Sequence, residues 1–111
     1  MESERRKLVV FLPAYNETGS IEHLLGRISE TFRRLPDPGS VLVVDDGSSD
    51  GTRDAATAVA KELGLELVVI VHETNRGLGE ALSTGFSWAR DHLDHRDVLV
   101  GMDADDTHDP A

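Results

Sequence analysis

Asp103 and Asp105 stand two apart in VGMDADDTHDPA, directly behind an apolar run, with only the methyl group of Ala104 between them. Side chains two apart at the end of an extended strand leave the same face, so the two carboxylates can share one cation. Hard divalent ions such as Mg²⁺ or Mn²⁺ take such oxygens and complete their shell with phosphate oxygens and water. A calcium loop of the EF-hand kind fits poorly, because the glycine it needs at its sixth position is His108. A second acidic pair, Asp45 and Asp46, ends the apolar run of VLVVDDGSSDGT. Neighbours on a strand point to opposite sides. Asp46 is expected to face the ligand crevice, where a carboxylate accepts from a base N–H or a ribose hydroxyl. The rest of that cluster suits a strand-to-helix turn, with Ser49 or Asp50 capping the next helix.

Two further clusters carry chemistry. Tyr15 and Glu17 follow Pro13, placing an aromatic ring that can flank a base beside a carboxylate that can bind a donor. In NRGLG, Arg76 is a rare positive charge, and Gly77 and Gly79 allow close backbone approach; its expected role is to neutralise phosphate.

The elements that must position these residues follow from hydrophobic spacing. KLVVFLP, SVLVVDD, ELVVIVH and DVLVGMD are short, nearly continuous apolar runs, the pattern of strands buried on both faces of a parallel sheet. Between them Ile21, Leu24, Leu25, Ile28, Phe32 and Leu35 share one helical face, Ala56, Val59, Ala60 and Leu63 form a second, stopped by Gly64, and Leu78, Ala81, Leu82, Gly85, Ala89 and Leu93 form a third. The order is βαβαβαβ, which predicts an α/β, Rossmann-like parallel sheet with helices on both faces. Three of the four strands carry a polar cluster at the carboxyl end. In open α/β sheets the ligand crevice lies at that edge, where the strand order reverses.

Composition narrows the partners. The 111 residues amount to one domain, with 21 acidic against 11 basic side chains and a formal charge of −10, which argues against a nucleic-acid backbone as ligand. There is no cysteine, so disulfides and thiolate metal sites are excluded. No apolar run approaches the roughly 20 residues that span a bilayer, and MESERRK is not a signal peptide; the expected setting is cytoplasmic.

LPAYNE, VVDDGSSDGT, NRGLGEAL and MDADDTHDP, in this order and at these separations, resemble the N-terminal half of a family 2 inverting glycosyltransferase with the GT-A fold, and most of all the polyprenyl-phosphate (dolichol-phosphate) mannosyl- and glucosyltransferases. The resemblance implies a nucleotide-diphosphate sugar donor, GDP-mannose or UDP-glucose, with Pro13, Tyr15, Glu17 and Asp46 at the nucleoside and Asp103 and Asp105 holding the diphosphate through Mg²⁺ or Mn²⁺. Many such synthases carry a stretch similar to DADLQH. DADDTH departs from it and leaves Thr107 as the candidate third metal ligand. The implied acceptor is a polyprenyl phosphate at the cytoplasmic face of a membrane. Residues 1–6 are expected to be a flexible terminus and 7–111 the donor-binding half of a truncated GT-A domain, with the general base, which the family places downstream of the D-x-D, expected beyond Ala111. Exposed sheet edge in such a half favours self-association. Two other classes compete: a receiver-like phosphoacceptor domain that binds Mg²⁺ at an acidic pair, and a non-catalytic nucleotide-binding module. Receivers carry that pair after the first strand, whereas here it follows the second.

Overall fold

The computed structural model describes residues 7–37 and 39–102. The chain runs β1 (Leu8–Ala14), α1 (Thr18–Arg33), β2 (Ser40–Asp45), α2 (Thr52–Leu63), β3 (Leu67–Val71), α3 (Leu78–His92) and β4 (Val98–Gly101). All pairings are parallel, and the sheet order is β3-β2-β1-β4. The first three strands advance in one direction and the fourth returns to the far side of β1, so the order reverses between β1 and β4. The expected α/β architecture is therefore the observed one.

Strand parity divides the core in two. Val10, Leu12, Ala14, Val41 and Val43 pack under α1 and α2 with Ile21, Leu25, Ile28, Phe32 and Ala56. Val9, Phe11, Leu42 and Val44 face the other way, against Ala81 and partly buried residues of α3. The central strands are buried on both faces as their unbroken apolar runs require. The outer strands are not: β3 is only half-buried and β4 largely exposed. An apolar run signals a strand without saying whether that strand has a neighbour on each side.

Two helical faces end differently from their spacing. Leu35 lies beyond the last turn of α1 and is exposed, and Leu78, the first residue of α3, is 63% exposed. The interior of each face behaves as the period dictates. Gly85 sits flat on the Phe11 ring, with no room for a Cβ, which is how α3 comes so close to the sheet. Pro13 is half-buried within β1. On β1, Phe11 O faces β4 and accepts from Met102 N at 2.9 Å, whereas Ala14 O faces β2 and accepts from Asp46 N at 2.8 Å. Backbone groups alternate between the two sides, so the N–H that proline lacks belongs to the β4 side, past the last β1–β4 pair, Phe11 with Gly101.

Candidate functional site

The turns after β1 and β2 are joined by polar contacts that hold the carboxyl edge of the sheet. Asn16 has φ +52°, in the left-handed region that asparagine tolerates better than most side chains. Its N–H donates to Ser48 Oγ at 2.8 Å, and its Oδ1 accepts from Ser49 N at 2.9 Å. The Glu17 N–H donates to Thr52 Oγ1 at 2.8 Å. Asp50 then serves two helices at once. Its Oδ2 accepts from the first N–H of α1, Thr18, at 3.2 Å, and its Oδ1 from the first N–H of α2, Thr52, at 3.1 Å. A carboxylate suits both positive helix ends. The Thr52 hydroxyl is the main influence holding the Asp50 carboxyl below its ordinary value, against partial desolvation and with help from Thr18. The expected capping role of the DDGSSDGT cluster thus falls to Asp50, although Gly51 is the residue at the N-cap position.

The two aspartates at the end of β2 point to opposite faces, as alternation requires, and the one expected to face the crevice, Asp46, is covered by the 72–77 connection. Asp46 has the parity of Leu42 and Val44 and lies on the α3 side of the sheet, where its side chain is only 5% exposed. Its Oδ1 accepts from His72 Nδ1 at 2.7 Å and Arg76 N at 2.9 Å, and its Oδ2 from Gly77 N at 2.8 Å and Asn75 Nδ2 at 3.1 Å. Burial pushes this carboxyl upward. The donors from His72, Arg76 and Gly77 outweigh it and leave the group below its ordinary value. Asp45 lies on the opposite side. One of its oxygens accepts from Ser48 N at 3.0 Å, and among the described residues the other has no partner. Asp45 also lines a cleft of about 340 Å³ with Gly47, Ser48, Thr52 and Arg53. Alternation shows that the two aspartates part company, but not which face another loop will fill.

Tyr15 is 46% exposed at the rim beyond β1, free to stack on a planar ligand. Glu17 is half-buried just before α1, and Arg76 is exposed in the loop before α3. Pro13, Tyr15, Glu17, Asp45 and Arg76 are thus carried on the ends of β1, β2 and the β3–α3 connection, along one edge. Asp103, Ala104, Asp105 and Thr107 lie outside the described residues, as does the expected flexible terminus 1–6. The last described residue, Met102, donates its N–H to Phe11 O of β1, at the point where the strand order reverses. Among the described residues no group of three or more His, Asp or Glu side chains is arranged to hold a metal ion, and no helix is long and apolar enough to cross a membrane.

Sequence reasoning missed His72, Asn75, Thr84 and Asn16. The signal for His72 was available: a histidine that continues the apolar alternation of a strand must bring a polar partner into the core.

Residues 9–111 match the family model described as glycosyl transferase family 2. The chain belongs to that family. An undecaprenyl-phosphate mannosyltransferase of Micrococcus luteus is 41% identical over 105 residues, 94% of this chain and 40% of the relative. A polyprenol monophosphomannose synthase of Mycolicibacterium smegmatis is 38% identical, over 95% of this chain and 37% of the relative. Among solved structures, a mannosyltransferase of Pyrobaculum calidifontis in complex with GDP-Man and Mn²⁺ superposes with TM-score 0.74 at 33% identity, covering 92% of this chain and 28% of that one. A glucosyl-3-phosphoglycerate synthase of Mycobacterium tuberculosis in complex with Mn²⁺ and UDP gives TM-score 0.65 at 27% identity, covering 89% and 33%. The fold is that of the GT-A glycosyltransferases, and the family 2 chain spans well under half the length of these relatives.

Proposed function

We propose that this family 2 chain is the donor-binding half of an inverting glycosyltransferase that moves a sugar from a nucleotide-diphosphate sugar, GDP-mannose or UDP-glucose, to a polyprenyl phosphate. The observation that carries the reading is Asp45. A buried carboxylate with an acceptor oxygen that has no partner among the described residues, beside a cleft at the carboxyl edge of a parallel sheet, is suited to take a donor from a ligand. The relatives support the choice of donor and acceptor: two act on polyprenyl or undecaprenyl phosphate by name, and two are solved with a nucleotide or nucleotide sugar and Mn²⁺.

In this reading Asp45 accepts from the base or ribose, Tyr15 stacks on the nucleoside, Pro13 and Glu17 shape its rim, and Arg76 meets the diphosphate. The all-oxygen donor set of Asp103 and Asp105, with Thr107 as a further oxygen ligand and Ala104 as spacer, fits Mg²⁺ or Mn²⁺. That ion, when bound, offsets the charge that grows on the leaving nucleoside diphosphate. Asp46 leaves the nucleoside set, because its oxygens already take four protein donors. The general base and the acceptor surface are assigned to parts of the protein outside this chain. The same proposal places the protein at the cytoplasmic face of a membrane, and has the chain self-associate through the open side of β4; a dimer or larger particle in light scattering supports the latter, and a monodisperse monomer overturns it.

Titration of the chain with GDP-mannose, UDP-glucose and acetyl phosphate, each with Mn²⁺, tests the reading. Saturable binding of one nucleotide sugar, stronger than that of acetyl phosphate, is expected. Preference for acetyl phosphate would point instead to a phosphoacceptor domain.

A further inference from the structure

We infer that Asp46 and His72 form a brace that positions Arg76, and that His72 therefore governs recognition of the donor's diphosphate without touching it. The inference rests on the donor reading above and deepens it.

Four N–H groups converge on the Asp46 carboxylate, and all four come from the six residues 72–77: the His72 ring, the Asn75 amide, and the backbone of Arg76 and Gly77. One side chain at the end of β2 thus dictates the path of the connection leaving β3. A second, independent feature fixes the same path. Gly47 has φ +79°, and a Cβ there would lie 2.5 Å from the Asn75 N and the Thr74 carbonyl carbon, so the loop lies directly on the backbone that follows Asp46. The other side of the His72 ring is also fixed, because Nε2 pairs with Thr84 Oγ1 at 2.8 Å, well inside α3. The ring is buried and spans from the strand-end carboxylate to the helix. Arg76 is the one cation among the exposed residues of this clamp, which also include Glu73, Thr74 and Asn75. Its own N–H is one of the four donors, so where its Cα sits depends on the carboxylate, and where the carboxylate sits depends on His72.

A loop that merely closed the fold would need none of this. Backbone polar groups in a surface connection are satisfied by water at little cost. Holding one loop by a buried carboxylate, a buried imidazole and a glycine contact is the arrangement expected where a side chain must meet its ligand without searching for it.

The two ring nitrogens allow a discriminating test. Asparagine at position 72 can place its amide where Nδ1 stands and still donate to Asp46. Glutamine reaches toward the position of Nε2 and Thr84 but abandons Asp46. Nucleoside and nucleoside-diphosphate affinities are measured with Mn²⁺ for the parent, His72→Gln, His72→Asn, Arg76→Ala and the double variant His72→Gln with Arg76→Ala, with far-UV circular dichroism and melting as fold controls. His72→Gln should lose about tenfold in diphosphate affinity and less than about twofold in nucleoside affinity, as loss of one oriented charged contact would give. His72→Asn should keep most of the diphosphate affinity. In the Arg76→Ala background His72→Gln should add little, because both changes remove the same contact. Equal losses for nucleoside and diphosphate, or a full tenfold cost of His72→Gln without Arg76, would overturn the inference. If the parent binds diphosphate no better than nucleoside, the donor reading fails and the Arg76 assignment fails with it. Amide exchange at Arg76 and Gly77 then still decides the brace: faster exchange in His72→Gln than in His72→Asn upholds it, and equal exchange removes it.

Discussion

The two sides of β1 are built on different terms. On the β2 side every turn at the carboxyl edge is bonded to another turn: Asn16 to Ser48 and Ser49, Glu17 and Thr18 to Thr52 and Asp50, and Asp46 to the whole 72–77 connection. On the β4 side, beyond the backbone ladder, the described side chains are largely apolar and incompletely covered. Val98, Val100 and Met102 of the β4 segment are exposed, Phe86 on α3 is 56% exposed although it meets Phe11 edge-on, and a groove of about 290 Å³ runs beside α1 along Leu8, Val10 and Val100. The difference teaches where this molecule keeps its rigidity. Polar networks need their partners placed closely and specify one geometry, whereas an apolar edge tolerates change. Of the contacts proposed above, those of Tyr15, Glu17, Asp45 and Arg76 lie on ground held by the first kind of bonding or at its border.

Asp46→Ala should show the contrast most strongly. It strips four donors, the buried His72 ring and three part-buried groups, of their acceptor, and removing one member of a buried charged network costs on the order of 3 to 5 kcal/mol, read as a large fall in the urea midpoint. Asp45→Ala removes one hydrogen bond and should cost only about 1 kcal/mol of stability while reducing nucleoside affinity. Similar stability losses in the two variants would erase the distinction between them.

Gly85→Ala comes next. A methyl group has no place between α3 and the Phe11 ring, and overpacking of this kind costs roughly 1 to 3 kcal/mol. A melting temperature equal to the parent's would show that α3 can ride up on the sheet, and that the face is softer than described.

Acid should sharpen the comparison further. Asp46 titrates below its ordinary value in the folded protein, so it contributes stability that is fully present above the unfolded-state value and is lost as pH falls through the folded one. Denaturant midpoints should therefore drop at pH values below the ordinary carboxylate range, and Asp46→Asn should flatten that limb. An unchanged limb in Asp46→Asn would assign acid sensitivity to other carboxylates.

The smallest effect belongs to β4. Val100→Ser on the open side should change stability by less than about 0.5 kcal/mol, the usual range for exposed positions. A large loss would mean that this side carries more of the fold than its exposure indicates.

How much of this was legible in the sequence depends on the range of the interaction. Strand and helix order followed from local periodicity, and the carboxyl edge as the ligand side followed from where the polar clusters fall. What was not legible is pairwise and long-range. Nothing local in VVDDGS says that the loop 30 residues later will fold over Asp46 and not Asp45, because both loops are polar and both faces were available. His72 reads as the last residue of an apolar strand until Asp46 and Thr84 are found on either side of it. Leu78 fits its helical face by spacing and is still exposed, because a face is buried only where something covers it.

The central claim, that the carboxyl edge takes a nucleoside diphosphate through a metal held by the D-x-D aspartates, is tested most directly by calorimetric titration of GDP and UDP with and without Mn²⁺, in the parent and in Asp105→Asn. The account predicts that Mn²⁺ raises the affinity for at least one of the two by about tenfold or more in the parent, as a few partly desolvated ionic contacts would give, and leaves it unchanged in Asp105→Asn, whose circular dichroism should match the parent's. Affinity indifferent to Mn²⁺ in the parent, or equally raised in both proteins, would contradict it.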